Sequence, residues 1–241
     1  MLAVNHVLLA TSITVAGSVI LDRQFFLPFI VFVVVASLLP DIDHKGSEMS
    51  KLVPVINAAL PHRGVTHSIF AVGLFGVLML LLSEYYTYFS IVLLILGIAG
   101  LYFLEKVASK KLFTGGNPIM TFFSPKTTRF IVRLFTGVMS VFLFLATILI
   151  WNDLYRGEII GLLTIGYGLH LLGDFVTKDG IPLIWPFSNK VGLKLFRTGS
   201  TVEGVIGFIL VIINILAIIQ FIDHFDVGQS EYWANYIQWV V

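Results

Sequence analysis

The sequence predicts an all-α, polytopic membrane protein of about seven transmembrane helices, with its amino terminus in the cytoplasm. Three observations predict it. Hydrophobic residues fill 57% of the 241 positions and charged residues 12%, with a mean hydropathy of +0.95; a soluble domain carries roughly twice that charge. Apolar stretches of near-membrane length recur along the whole chain. Lysine and arginine gather in alternate connections between those stretches.

The spans read as residues 4–21, 25–39, 67–83, 89–104, 130–151, 159–176 and 202–222. The first lacks a basic leader and a small-residue cleavage site, and His6 lies inside it, so it reads as a retained helix rather than a signal peptide. The second is short and contains Pro28, which predicts a tilted, bundle-buried or partly inserted segment. The remaining spans are ordinary. No repeat or low-complexity tract interrupts them, and residues 1–241 read as one domain.

Seven spans put the amino terminus and residues 40–66, 105–129 and 177–201 on one side. Of the 15 Lys and Arg residues, only Arg23 and Arg156 fall on the other. The positive-inside bias makes the Lys/Arg-rich side cytoplasmic. No basic run or aromatic-interleaved patch suggests nucleic acid. The chain has no cysteine, so a metal site must be built from nitrogen and oxygen.

The polar residues in this oily chain fall into a few motifs, and imidazole and carboxylate are costly near lipid unless they bind or pair. His170 and Asp174 are spaced i, i+4 on the sixth span and project from one face. They can offer two ligands to an ion, or seal the helix end as a hydrogen-bonded pair. Asp41 and Asp43 follow Pro40, which favours an extended start in which both carboxylates line one pocket. The competing reading is a solvated turn. His44 then faces elsewhere, behind the ligands or among them.

His62 and His67 converge only if residues 63–66 turn, which Gly64 permits, with Thr66 or His67 starting the helix. Arg63 suits a phosphate or carboxylate, or is an ordinary charge on the cytoplasmic side. His6 is a candidate ligand or an interfacial histidine partnered by Asn5. Glu203 is a candidate general base, or the closing residue of a capping box begun by Ser200. Residues 177–187 read as a rigid turn with interfacial aromatics that could cover the site. His224 lies on the opposite side and is left out. The topology, read from Lys and Arg alone, carries every other motif to one membrane face.

These motifs resemble a known family, the LexA-regulated, membrane-bound proteins predicted to be metal-dependent hydrolases. The matching residues are His6, LLPDIDHKGS (38–47), HRGVTHS (62–68), GYGLHLLGD (166–174) continuing as TKDGIPLIWPF, and RTGSTVE (197–203). Residues 85–160 match only as hydrophobic spans. A looser similarity, in ligand order, links the chain to zinc-dependent phospholipase C and P1-type nuclease proteins. Those enzymes also use the mature amino terminus as a ligand, which this sequence does not visibly offer.

The expectation is a cytoplasm-facing, metal-dependent hydrolase. His6, Asp41, His44, His62, His67, His170 and Asp174 form the candidate metal set, for one or two divalent ions, zinc first and manganese second. Asp43 and Glu203 are candidate bases or further ligands, and Arg63 the group that neutralises a lipid or soluble phosphoester. The alternative is a non-catalytic membrane protein that binds or moves a metal, with a purely structural role for the His–Asp pairs as the third reading.

Overall fold

A computed structural model describes residues 1–43, 63–85, 95 and 155–237. Among these the regular structure is helical: α1 (Ala3–Ile20), α2 (Ile30–Ala36), α3 (Ile69–Ser83), α4 (Arg156–Phe175), α5 (Thr201–His224) and α6 (Ser230–Ile237). Short 3-10 turns stand at Leu27–Phe29, Leu39–Asp43 and Val65–His67. Two isolated bridges, Thr177 with Phe196 and Ile181 with Val191, are the β-pairing among the described residues.

The first, third, sixth and seventh expected spans correspond to α1, α3, α4 and α5. The fourth, apart from residue 95, and the fifth lie outside the described residues. The second differs most. Its α-helix has seven residues, which rise about 10 Å, a third of the hydrocarbon thickness. Pro28 sits in the 3-10 turn before it, and Val31, Phe32, Val33, Val35 and Ala36 are all buried. This short helix is the middle of the core, against α4 and α1. Gly166 of α4 approaches it so closely that a Cβ there would lie 2.6 Å from the Val33 carbonyl oxygen.

α1 and α5 are long and apolar enough to cross a membrane. In α5 the buried residues are Glu203, Gly207, Leu210, Asn214, Ala217 and Phe221, a single stripe at helical spacing facing α1. The other faces carry Ile209, Ile212, Ile215, Leu216 and Ile219 exposed. A helix on a water-soluble surface is polar there, whereas this one matches lipid. α3 repeats the pattern, with Phe70, Leu74, Val77, Leu78 and Leu81 outward.

Helix starts are capped locally. Ser68 Oγ accepts from the Ala71 N–H at 3.2 Å and opens α3 two residues later than His67. Ser200 Oγ accepts from the Glu203 N–H at 3.4 Å and opens α5. At one pole of the bundle Tyr232 Oη donates to the Phe25 carbonyl at 2.9 Å and accepts from the Leu27 N–H at 2.8 Å. The opposite pole gathers the start of α1, the end of α2, the start of α3, the end of α4 and the start of α5.

Candidate metal centre

The 3.6-residue period puts His170 and Asp174 on the buried face of α4, one turn apart. His170 Nδ1 lies 2.7 Å from the Ser37 carbonyl oxygen. A carbonyl only accepts, so Nδ1 carries the proton and Nε2 presents a lone pair to the interior. His67 Nδ1 lies 3.0 Å from Thr66 Oγ1 and 3.3 Å from Asp43 Oδ2, while the Thr66 hydroxyl donates to that same carboxylate. Its Nε2 is thereby turned inward as well.

The two inward nitrogens are 3.3 Å apart. Asp41 Oδ1 lies 3.9 Å from His67 Nε2 and 3.8 Å from His170 Nε2. Asp174 Oδ2 lies 3.5 Å from the first and 4.0 Å from the second. Ligands at about 2.0–2.1 Å around a tetrahedral ion stand about 3.3–3.4 Å from one another. The measured separations equal or exceed that spacing, and His67, His170 and Asp174 form one group of potential ligands. Asp174 Oδ2 is buried and meets no partner in hydrogen-bond geometry, and its nearest cation is Arg63 Nε at 3.0 Å.

His6 joins Asp41 and His170 in a second group whose ligand atoms lie within 4.8 Å of one another. Its ring stacks on that of His170, with centroids 3.8 Å apart and planes 11° apart, and its Nε2 is 3.2 Å from Asp174 Oδ1. Neither His6 nitrogen makes a hydrogen bond. Both groups depend on the same His170 Nε2, because its Nδ1 is taken by Ser37. Room for His6 comes from Gly173, where a Cβ would stand 2.7 Å from His6 Nδ1.

Cations crowd Asp174. The Met1 nitrogen is 2.5 Å from Oδ1, and Arg63 reaches both carboxylate oxygens, through Nε at 3.0 Å and Nη2 at 3.1 Å. Arg63 Nη1 extends to the exposed Asp179 at 3.0 Å. The Met1 nitrogen thus stands beside the cluster, against Asp174.

A family model for YdjM inner membrane proteins matches residues 1–108 and 134–234. The chain belongs to that family. No curated protein and no solved structure matches it. The YdjM match covers every candidate residue, and this YdjM-family chain is a membrane protein whose buried His and Asp groups are close enough to hold a metal ion.

Of the ten candidates, the structure brings His6, Asp41, Asp43, Arg63, His67, His170 and Asp174 together. His44 and His62 lie outside the described residues. Glu203 is buried beside the cluster, with Oε1 accepting from the Leu2 N–H and Oε2 from the Gly199 N–H, each at 2.5 Å. It fastens the start of α1 to the start of α5. One local expectation changes. Leu39–Asp43 is a 3-10 turn rather than an extended strand, so residues two apart do not point alike. Asp41 and Asp43 instead approach opposite nitrogens of the His67 ring. In the turn before α3, Arg63 takes the left-handed conformation at φ 53°, while Gly64 has φ −94° and ψ −131°, outside the ordinary α and β ranges.

Ser37 and Tyr167 were not singled out from the sequence, and Thr66 was read only as a candidate helix start. Ser37 acts through its carbonyl, which no side-chain pattern reveals. Thr66 braces Asp43, and Tyr167, one turn before His170, donates to the Thr66 carbonyl at 2.8 Å.

Proposed function

We propose that this chain is a membrane-embedded, metal-dependent hydrolase acting on phosphoesters, with a single divalent ion as its resident cofactor. The observation that carries the reading is the convergence of His67 Nε2, His170 Nε2, Asp41 Oδ1 and Asp174 Oδ2, with separations of 3.3 to 4.0 Å among the measured pairs. Two imidazoles and two carboxylates without a thiolate suit zinc first and manganese second. One ion is favoured over two because both ligand groups share His170, whose Nδ1 faces the Ser37 carbonyl. A bound divalent ion would supply Lewis acidity and an activated water.

The protein's own residues divide the remaining work. Asp43 and Ser37 hold the two histidines in the tautomer that ligates. Asp41 is the partly exposed member, at 17%, and opens the site toward substrate. Arg63 is held on Asp174 through Nε and Nη2, and would meet the phosphate on its Nη1 side in place of the exposed Asp179. Both Glu203 oxygens accept main-chain N–H bonds, which makes it an anchor rather than the base. A transporter would be expected to carry its polar groups near mid-membrane, whereas these residues belong to helix ends at one pole.

The proposal includes the topology: about seven spans, the amino terminus and the metal site cytoplasmic, as the Lys and Arg distribution indicates. In this cysteine-free chain, a Lys110→Cys protein should react with impermeant thiol reagents only from the cytoplasmic side. Reaction from outside alone would reverse the orientation.

The deciding experiment measures bound metal and turnover together. Purified protein should hold about one ion per chain, in line with two ligand groups that share His170. It should also hydrolyse members of a panel of lipid and soluble phosphoesters, and His67→Ala should lose both properties. Metal without turnover across the panel would instead establish a metal-binding membrane protein.

A further inference from the structure

We infer that residues 183–197 form a rigid shelf seated in the headgroup layer of the membrane, and that its lysines select anionic phospholipid. The segment is folded tightly onto the end of α4. The Leu193 N–H donates to the Phe175 carbonyl at 2.8 Å, the Leu195 N–H to Val176 at 3.0 Å, and Ile181 and Val191 exchange bonds of 2.9 Å. Gly192 lies so near the helix end that a Cβ would meet the Phe175 carbonyl oxygen at 2.6 Å. A segment held in this way does not expose apolar side chains through slackness. Yet Trp185, Phe187, Leu193 and Leu195 all point outward, Phe187 with 90% of its surface free.

The occupant of that surface follows from its neighbours. The shelf is joined to the start of α3, where the Ile69 N–H donates to the Leu183 carbonyl at 3.0 Å and the Phe70 ring lies 6.3 Å from that of Trp185. Phe70 begins the outward apolar face of α3, so the shelf continues a surface already matched to lipid. Unlike the mid-helix surface of α5, it is interleaved with exposed Lys190 and Lys194. Aromatic rings and lysines together are the composition of the membrane–water boundary. Lysine there attracts anionic headgroups. A protein partner would have to displace lipid that the adjoining helices already require.

The shelf also fixes the depth of the metal site. Asp179, just before it, pairs with Arg63, and Gly199, just after it, donates to Glu203. Shelf and site are therefore one rigid unit, and the candidate centre lies within reach of lipid headgroups whether or not it is catalytic.

The test uses the full-length protein in nanodiscs, where the absence of native cysteine permits single spin labels. A label at Phe187→Cys should collide with oxygen more than with a water-soluble nickel chelate, to a degree between a label at Ile212→Cys on α5 and the free label in buffer. A nickel accessibility equal to that of the free label would overturn the shelf. Selectivity is read from spin-labelled phosphatidylglycerol against phosphatidylcholine. The Lys190→Gln/Lys194→Gln protein should lose about fivefold in preference for phosphatidylglycerol per lysine removed. Unchanged selectivity, in a variant with unchanged metal content and elution volume, would overturn the lipid preference.

Discussion

Asp43 stands behind His67, its Oδ2 3.3 Å from the ring nitrogen that faces away from the candidate metal position. The Thr66 hydroxyl bonds to the same carboxylate and lies 3.0 Å from that nitrogen, so carboxylate, hydroxyl and imidazole brace one another. A carboxylate in this place raises the basicity of the ligating nitrogen and fixes the ring. Asp43→Asn should therefore weaken metal affinity by about 10- to 100-fold, the usual effect of losing such a partner. Competition with a chelator of known affinity measures this. An affinity equal to that of the parent protein would remove Asp43 from the site.

His170→Ala should act more severely, because it deletes a nitrogen on which both ligand groups depend. Elemental analysis should find the metal lost from the purified protein. A His6→Ala protein separates the one-ion from the two-ion arrangement: with one ion, its metal content stays near the parent value and only the affinity falls. Half the parent content would show that His6 holds a second ion.

How much of this centre was legible in the sequence depends on what each residue uses. His170 and Asp174 were legible because helical periodicity alone puts them on one face. Counting spans predicted only that His67 and Asp41 share a membrane face with that helix end, and their approach to its buried side is a matter of packing. Ser37 was not legible, since its contribution is a main-chain oxygen. The Leu39–Asp43 turn was misread for a related reason. That turn and the left-handed Arg63 are set by packing against α4, including the Arg63–Asp174 contacts, which neighbouring residues do not encode. α2 was legible in part. Its shortness and Pro28 marked the second span as a candidate for burial inside the bundle, while apolar composition alone did not reveal that its helix is seven residues long.

Glu203 offers a direct test of anchor against base. Both oxygens accept main-chain N–H groups at 2.5 Å, one from Leu2 and one from Gly199. Glu203→Gln keeps one acceptor and turns an amide N–H₂ toward a donor, so it should destabilise the protein by about 1–3 kcal/mol. Metal content should remain that of the parent protein. Denaturation in detergent and elemental analysis check the two halves. Full stability with lost phosphoester turnover would make Glu203 the base.

Close approach of α4 to α2 predicts a contrast between two glycines of one helix. At Gly166 a Cβ would lie 2.6 Å from the Val33 carbonyl oxygen and 3.0 Å from its Cα, both main-chain atoms that cannot rotate away. Gly166→Ala should cost about 1–3 kcal/mol by forcing the helices apart. At Gly161 nothing lies within 4 Å, so Gly161→Ala should be neutral or stabilise by up to about 1 kcal/mol through helix propensity. Thermal unfolding of the two proteins in the same detergent compares them. Equal midpoints would show that the α2–α4 contact is looser than described.

Asn214 is a polar side chain in the middle of apolar α5, and α1 answers it. Thr11 Oγ1 lies 2.7 Å from Asn214 Oδ1, while Asn214 Nδ2 donates to the Leu8 carbonyl at 2.7 Å and approaches Ser12 Oγ at 2.5 Å. Hydrogen bonds between helices in lipid contribute little individually, because the separated helices find other partners. Thr11 and Ser12 hold such alternatives already, in the Val7 and Leu210 carbonyls. Asn214→Leu should accordingly cost only about 0.6–1.7 kcal/mol. A double-mutant cycle with Thr11→Val isolates the shared bond. A coupling of zero would mean that α1 and α5 are held by packing alone. A loss well above that range would instead show Asn214 to be the residue on which their association depends.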